Sequence, residues 1–290
     1  MWVARAESVL MPLESKIVPR VLDLSPRGIE YRGPAVRLFS MDIQTYRQRR
    51  KEQEKTARKY RELCWECRQP TVGCYCSTIK MFDPKIKFVI LIHPVEERRR
   101  IATGRMTHQC LINSELIAGQ DYSNNQRVND IIDNPNYSSV ILYPGRNSVN
   151  LTVDPDLQSP TANRIFLPNK TPVIFVIDGT WATAGKMVRQ SSNLSHLPRI
   201  CFTPPAPSQF RVRKQPKPEC YSTIEAVHHT IELLGDKVGF PIQDRKHDNL
   251  LEVFNKLVET QIQFVQEAYD NPRSTSYRRP KNRVYDARLG

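Results

Sequence analysis

Two short runs of nearly unbroken apolar residues stand out from a largely polar chain, Phe88 to Ile92 and Val173 to Ile177. Runs of this length, rich in Val and Ile and without alternation, predict strands covered on both faces, as in a parallel sheet. The first is read as Ile86 to Ile92. Ser138 to Tyr143 predicts another strand, closed by a turn at Pro144 and Gly145, and Arg199 to Phe202 a short fourth. Between the strands the spacing turns helical. Arg98 to Ala118 carries Ile101, Leu111 and Leu116 on one side, and Thr180 to Gln190, Ser222 to Leu234 and Asn249 to Ala268 follow the same period. Residues 146–171, dotted with Asn, Asp and Pro, predict loop. Strands alternating with helices predict an α/β fold, a mainly parallel sheet with flanking helices. No internal repeat is visible, and no apolar run is long enough to span a membrane.

Both ends differ from this body. Pro12, Pro19, Pro26 and Pro34 break any period in residues 1–40, which are read as an extension, disordered or a mis-called start. Asp42 to Leu63 is a strongly charged helical stretch, capped by Asp42, that leads into a cysteine cluster; it is either a solvated helix or an RNA contact. The tail from Arg273 to Arg288 is basic and aperiodic. The organisation is therefore 1–40 extension, 41–82 basic helix and cysteine knuckle, 83–270 main domain and 271–290 basic tail. Arg5, Glu7 and Glu14 interrupt any secretory apolar region, and Glu7, Glu14, Asp23 and Glu30 argue against a transit peptide, so a cytoplasmic protein is expected. No obligate protein partner is evident. The formal charge of +13 makes a polyanion, above all nucleic acid, the leading partner over an anionic lipid surface.

Four of the seven cysteines, Cys64, Cys67, Cys74 and Cys76, follow the pattern C-x2-C-x6-C-x-C. Four thiolates brought together by two tight turns suit tetrahedral zinc with no open position, a structural site, and Gly73 supplies the backbone freedom for one turn. A redox role is the competitor, but the strand and helix of a thioredoxin-like unit are missing around it. Cys110, Cys201 and Cys220 read as ordinary buried thiols.

Gly179 to Lys186 follows a strand and opens a helix, yet its spacing and the following Met187 do not match a phosphate loop, and no dinucleotide fingerprint occurs. What stands at the end of the strand is Asp178, Gly179, Thr180 and Trp181, where open α/β sheets place ligands. Asp178 capping the next helix and Trp181 packing in the core is an equally open reading. A third cluster runs from Pro207 to Pro216, with Arg211, Arg213 and Lys214 alternating with apolar residues, and continues through Ser222, Thr223 and Glu225, a helix start suited to an anion.

Taken in order, the cysteine pattern, His93-Pro94-Val95-Glu96 with Thr103-Gly104, Leu142-Tyr143-Pro144, Asp178-Gly179-Thr180-Trp181, and Arg213 with Ser222 to Ala226 resemble the DTW-domain family over roughly residues 60–235. Ala102 departs from the Asn common before Thr-Gly in that family. The resemblance implies a tRNA-uridine aminocarboxypropyltransferase, with 83–270 as its catalytic domain. It implies a SPOUT-like sheet with a trefoil knot, S-adenosylmethionine as cofactor, and transfer of its aminocarboxypropyl group to uridine N3 with release of methylthioadenosine. Asp178 is then the expected base, with Glu225 in reserve, a weaker base if a helix N-terminus stabilises its anion. Leu142, Tyr143, Pro144, Gly179, Thr180, Trp181, Arg213, Ser222 and Thr223 are expected, with Asp178, to bind cofactor. Arg98, Arg99, Arg100, Arg105, Lys186, Arg189 and Lys214 are expected to follow the tRNA backbone. A methyltransferase, a ribosomal-RNA aminocarboxypropyltransferase and a non-catalytic zinc-knuckle RNA-binding protein remain as alternatives.

Overall fold

The computed structural model describes residues 62–270, apart from positions 146, 155, 156, 158, 160, 161, 163–166, 168, 214, 216 and 218, together with positions 44, 45, 47, 48 and 52. The chain divides into two units, Met1–Thr56 and Ala57–Gly290, and the sheet with its helices belongs to the second. The extension, the tail and most of the helix expected over Asp42 to Leu63 lie outside the described residues. At that helix's end, Leu63 bridges to Pro70 instead of continuing the helix.

Six strands are formed among the described residues: β1 Lys87–Ile92, β2 Ser114–Ala118, β3 Tyr137–Leu142, β4 Val149–Asn150, β5 Thr171–Asp178 and β6 Arg199–Cys201. They make one sheet in the order β2-β1-β5-β3-β6-β4, with every pairing parallel. The helices are α1 Pro94–Glu97, α2 Thr103–Cys110, α3 Gln126–Ile132, α4 Trp181–Gln190, α5 Ser192–Ser195, α6 Thr223–Leu234 and α7 Asp248–Asp270.

Period-two geometry assigns the two faces of the sheet. Phe88, Ile174 and Val176 join a core that takes in Met106 of α2, Ile224 and Val227 of α6 and Leu250 and Phe254 of α7. Their strand neighbours Val89, Leu91, Val173 and Phe175 point the other way, onto Val128 of α3, Met187 of α4 and Leu194 of α5. Every residue of β1 is buried, as its unbroken apolar run predicts.

Two expectations change. Arg98 to Ala118 is not one helix: α2 stops at Cys110 and the chain enters edge strand β2. The stretch expected to be loop holds the two-residue β4.

Candidate active site and thiol knuckle

The knuckle is a tight hairpin, with Cys64 N donating to Gln69 O at 2.8 Å and Arg68 N to Cys64 O at 2.9 Å. Arg68, at φ 59°, takes the left-handed turn. Gly73 does not supply it: its φ is not positive, and a Cβ there would sit 2.9 Å from Thr260 Cγ2 of α7. Close approach to α7, not backbone freedom, requires glycine. Cys64 and Cys76 sulfurs lie 3.7 Å apart, as do those of Cys67 and Cys74, and all four fall within 4.8 Å of one another. A tetrahedron with metal–sulfur bonds of about 2.3 Å has edges of about 3.8 Å. The four thiols could therefore hold a metal ion. Burial, then the neighbouring thiols, pushes Cys67 and Cys76 above the ordinary thiol value, while the Cys67 backbone hydrogen bond holds Cys64 down to about 7. All seven cysteines are free thiols; Cys110 and Cys220 are buried and Cys201 partly so.

The knuckle is stitched to the segment after α1. Gln69 Nε2 donates to Arg100 O at 2.5 Å, and Arg68 Nη1 to Glu97 O at 3.3 Å. From below, Arg105 donates to Glu97 O at 2.9 Å and Arg99 O at 2.7 Å. Arg105 is 6% exposed. It does not face solvent as an RNA contact would; it holds in place the loop on which Arg98, Arg99 and Arg100 are exposed. Lys186 and Arg189 are exposed along α4, and Lys214 lies outside the described residues.

At the C-terminal ends of β3, β5 and β6 opens a cavity of about 1570 Å³, larger than the ~300–1,000 Å³ of a common small-molecule site. Leu142, Tyr143, Pro144, Asp178, Gly179, Thr180, Trp181, Arg213, Ser222 and Thr223 all line it, as do Arg99 and Arg100. Thr180, not Asp178, caps α4, its hydroxyl accepting from Thr183 N at 3.2 Å. Trp181 is 47% exposed and so is not core. Both structural readings left open by the sequence are thereby removed.

Asp178 forms the floor. Register places it opposite Ile92, and His93 N donates to its carbonyl at 2.8 Å. Thr223 at the start of α6 donates to Oδ1 at 2.6 Å, and Gly104 N at the start of α2 to Oδ2 at 3.2 Å. A methyl on residue 104 would meet the carboxylate, with its carbon 2.8 Å away, so only glycine lets α2 come this close. Burial first, then the nearby Glu96, raises Asp178 above the ordinary carboxylate value, against the pull of the Thr223 and Gly104 hydrogen bonds.

Glu225 is placed differently. Its Oε2 accepts from Ser222 N at 2.8 Å and Ser222 Oγ at 2.6 Å, and its Oε1 from Gln209 N at 2.7 Å. These donors tie the 208–210 loop to the start of α6. Two residues with no role assigned from the sequence join the site: Gly104, and Glu96, 3% exposed and paired with Arg99 at 2.8 Å and Arg213 at 3.5 Å. The signal for both lay in the His93–Glu96 and Thr103–Gly104 motifs, but the partners Asp178 and Arg213 are 74 and 117 residues further along.

Among the described residues a second group of possible ligands, His228, Glu232, His247 and Asp248, joins α6 to α7. Arg245 already bridges its two carboxylates, at 2.5 Å to Glu232 and 2.7 Å to Asp248, so it is an ion-pair network. No helix among the described residues is long and apolar enough to cross a membrane.

A parallel sheet with a ligand cavity over its strand ends, floored by a buried carboxylate and joined to a four-thiol knuckle, defines the class structurally. Residues 61–262 match the DTW domain model, and the chain belongs to the DTW domain family. It is 28% identical over 184 residues to a Drosophila melanogaster protein named tRNA-uridine aminocarboxypropyltransferase 2, covering 61% of this chain and 68% of the fly protein. A Mus musculus protein of the same name is 28% identical over 179 residues, 60% of this chain and 57% of the mouse protein. An Arabidopsis thaliana protein named tRNA-uridine aminocarboxypropyltransferase A is 23% identical over 243 residues, 77% of this chain and 89% of the plant protein. No solved structure matches the chain.

Proposed function

We propose that the protein transfers the 3-amino-3-carboxypropyl group of S-adenosylmethionine to N3 of a uridine in tRNA, releasing methylthioadenosine. The observation that carries this reading is Asp178, a buried carboxylate of raised proton affinity facing a cavity roomy enough for a donor and a nucleoside together. The names of the relatives support tRNA as the acceptor.

The lining suits such a donor. Trp181 offers an aromatic face to a sulfonium or an adenine, and Arg213 with the N-terminus of α6 offers positive charge to a carboxylate. Bound there, the donor supplies a positively charged leaving group: the carbon–sulfur bond breaks as uridine N3 bonds to that carbon. Asp178 takes the N3 proton, for which its raised affinity suits it. Thr223 and Gly104 fix the carboxylate, and Glu96 holds Arg213 in place. Glu225, with its oxygens occupied by loop donors, acts as a positioning residue for Ser222 and Thr223. Tyr143 and Pro144 form the rim.

The knuckle metal is read as zinc in a structural role, since four protein thiolates complete its shell. The SPOUT-like trefoil knot that the family resemblance implies belongs to the same reading. Free thiols throughout suit a reducing compartment, the cytoplasm. Exposed Arg98, Arg99, Arg100, Lys186 and Arg189 are read as tRNA-backbone contacts.

The test incubates unmodified tRNA with donor labelled in the carboxypropyl chain, using the wild-type protein beside Asp178→Ala. Label enters RNA with the wild type alone, and methylthioadenosine accumulates. Adenosylhomocysteine in its place would identify a methyltransferase, and no label from the wild type would end the reading.

A further inference from the structure

Trp65 is 96% exposed. An indole left in water is an unusual use of the largest apolar side chain, and its surroundings point to what covers it. It sits between the thiols Cys64 and Cys67, in the turn closed by Arg68 N to Cys64 O. Leu63 and Val72, also exposed at 44% and 56%, lie on the two arms of the same hairpin, which is zipped by Thr71 N to Glu62 O at 2.9 Å. On this hairpin Gln69 and Pro70 reach the cavity wall beside Arg99 and Arg100. The hydrogen bond from Gln69 to Arg100 O locks the knuckle to the arginine loop. The hairpin that carries the apolar tip is thus bonded to the loop of exposed arginines, and through Gln69 and Pro70 it forms part of the cavity wall.

We propose that Trp65 stacks on an unpaired base of the tRNA near the target uridine, so that the knuckle positions the acceptor strand at the cavity. This rests on tRNA being the acceptor, as proposed for the site. Charge complementarity selects the occupant: with a net charge of +13, an exposed Arg68 in the same turn and the Arg98–Arg100 loop bonded to the knuckle, the surface fits a polyanion that carries flat apolar groups, which is unpaired RNA. Aromatic stacking on bases tolerates any sequence and releases no counterion, which separates it from the arginines.

The test measures binding of unmodified tRNA to the full chain and to Trp65→Ala, Trp65→Phe and Arg100→Ala across a salt series, with bound metal and donor affinity measured alongside. Trp65→Ala weakens tRNA binding roughly 5- to 150-fold. It leaves salt slope, metal content and donor affinity as in the parent, while Trp65→Phe recovers most of the loss. Arg100→Ala flattens the slope. Trp65→Ala that binds tRNA within about twofold of the parent overturns the proposal alone, because stacking predicts a larger loss. So does a Phe variant as weak as Ala, or loss of metal from both, because the role is then structural. A parent protein that binds no tRNA overturns this proposal and the functional reading together.

Discussion

Burying Asp178 costs folding energy whenever it is ionised, and the fold tolerates this because two helix starts aim hydrogen bonds at it. Since burial raises its folded pKa above the unfolded value, the folded state holds the proton more tightly. Its contribution to stability is present below the unfolded value, near 3.8, and is lost as pH rises through the folded value. An amide keeps both partners, accepting from Gly104 and donating to the Thr223 oxygen, without the charge. Asp178→Asn is therefore expected to melt at the same temperature as the parent or higher while losing transfer activity by about 10²-fold or more. Calorimetry beside the labelled-donor assay checks this, and a clear fall in melting temperature would assign the carboxylate a structural role. In the parent, log(kcat/KM) falls with unit slope on the acid side, through an apparent pKa above the ordinary carboxylate value. Glu96 is the neighbouring test. Glu96→Gln removes the charge facing Arg213 and is expected to raise donor KM by loosening the arginine, while the acid limb of log(kcat/KM) moves to lower pH because Glu96 no longer raises Asp178.

At the scale of elements, the site depends on how closely α2 and α6 approach the end of β5. Gly104→Ala places a methyl against the Asp178 carboxylate and Ile90, and overpacking of this kind costs about 1–3 kcal/mol. Chemical denaturation should show that loss together with reduced transfer; unchanged stability would mean that α2 shifts freely. The elements most legible in the sequence were those whose burial is complete. The apolar runs of β1 and β5 announced strands because both faces are covered, and the residues expected to bind a ligand at the end of β5 line the cavity. Strand β2 was hidden: as an edge strand, half-buried over Leu116 and Ile117, it shows a spacing that a helix face satisfies equally well. Arg105 was misread for a different reason. Its sequence neighbourhood is basic, but its direction is set by the carbonyls of Glu97 and Arg99, and a guanidinium turned inward leaves no mark in composition.

For the molecule as a whole, the knuckle and α7 share a core, since Cys67 and Tyr75 pack in the cluster that includes Phe254 and Leu257. Stripping metal with a chelator should destabilise this whole face of the sheet by several kcal/mol and not the knuckle alone, a change visible as a cooperative shift in melting. Acid should act in the same direction by a separate route. Burial lowers His108, His228 and His229 below the ordinary imidazole value of 6.5. The unfolded chain therefore takes up protons that the folded chain refuses, and stability falls as pH drops below that value. Glu115, held down to about 2 chiefly by the Arg127 hydrogen bond, and the lowered Glu232 and Asp248 add the same sign at lower pH. Asp178 carries the opposite sign, and the Asp178→Asn variant beside the parent separates its part. The metal-loaded protein is thus expected to hold a level melting temperature from pH 8 to about 7 and to lose stability steadily below about 6.5. Titration of the imidazole C2 protons by NMR isolates the histidine part from any loss of metal, because each imidazole reports its own protonation. Values at or above the ordinary imidazole pKa for all three would remove the first stage of the acid transition and leave the carboxylates and thiolates to account for it.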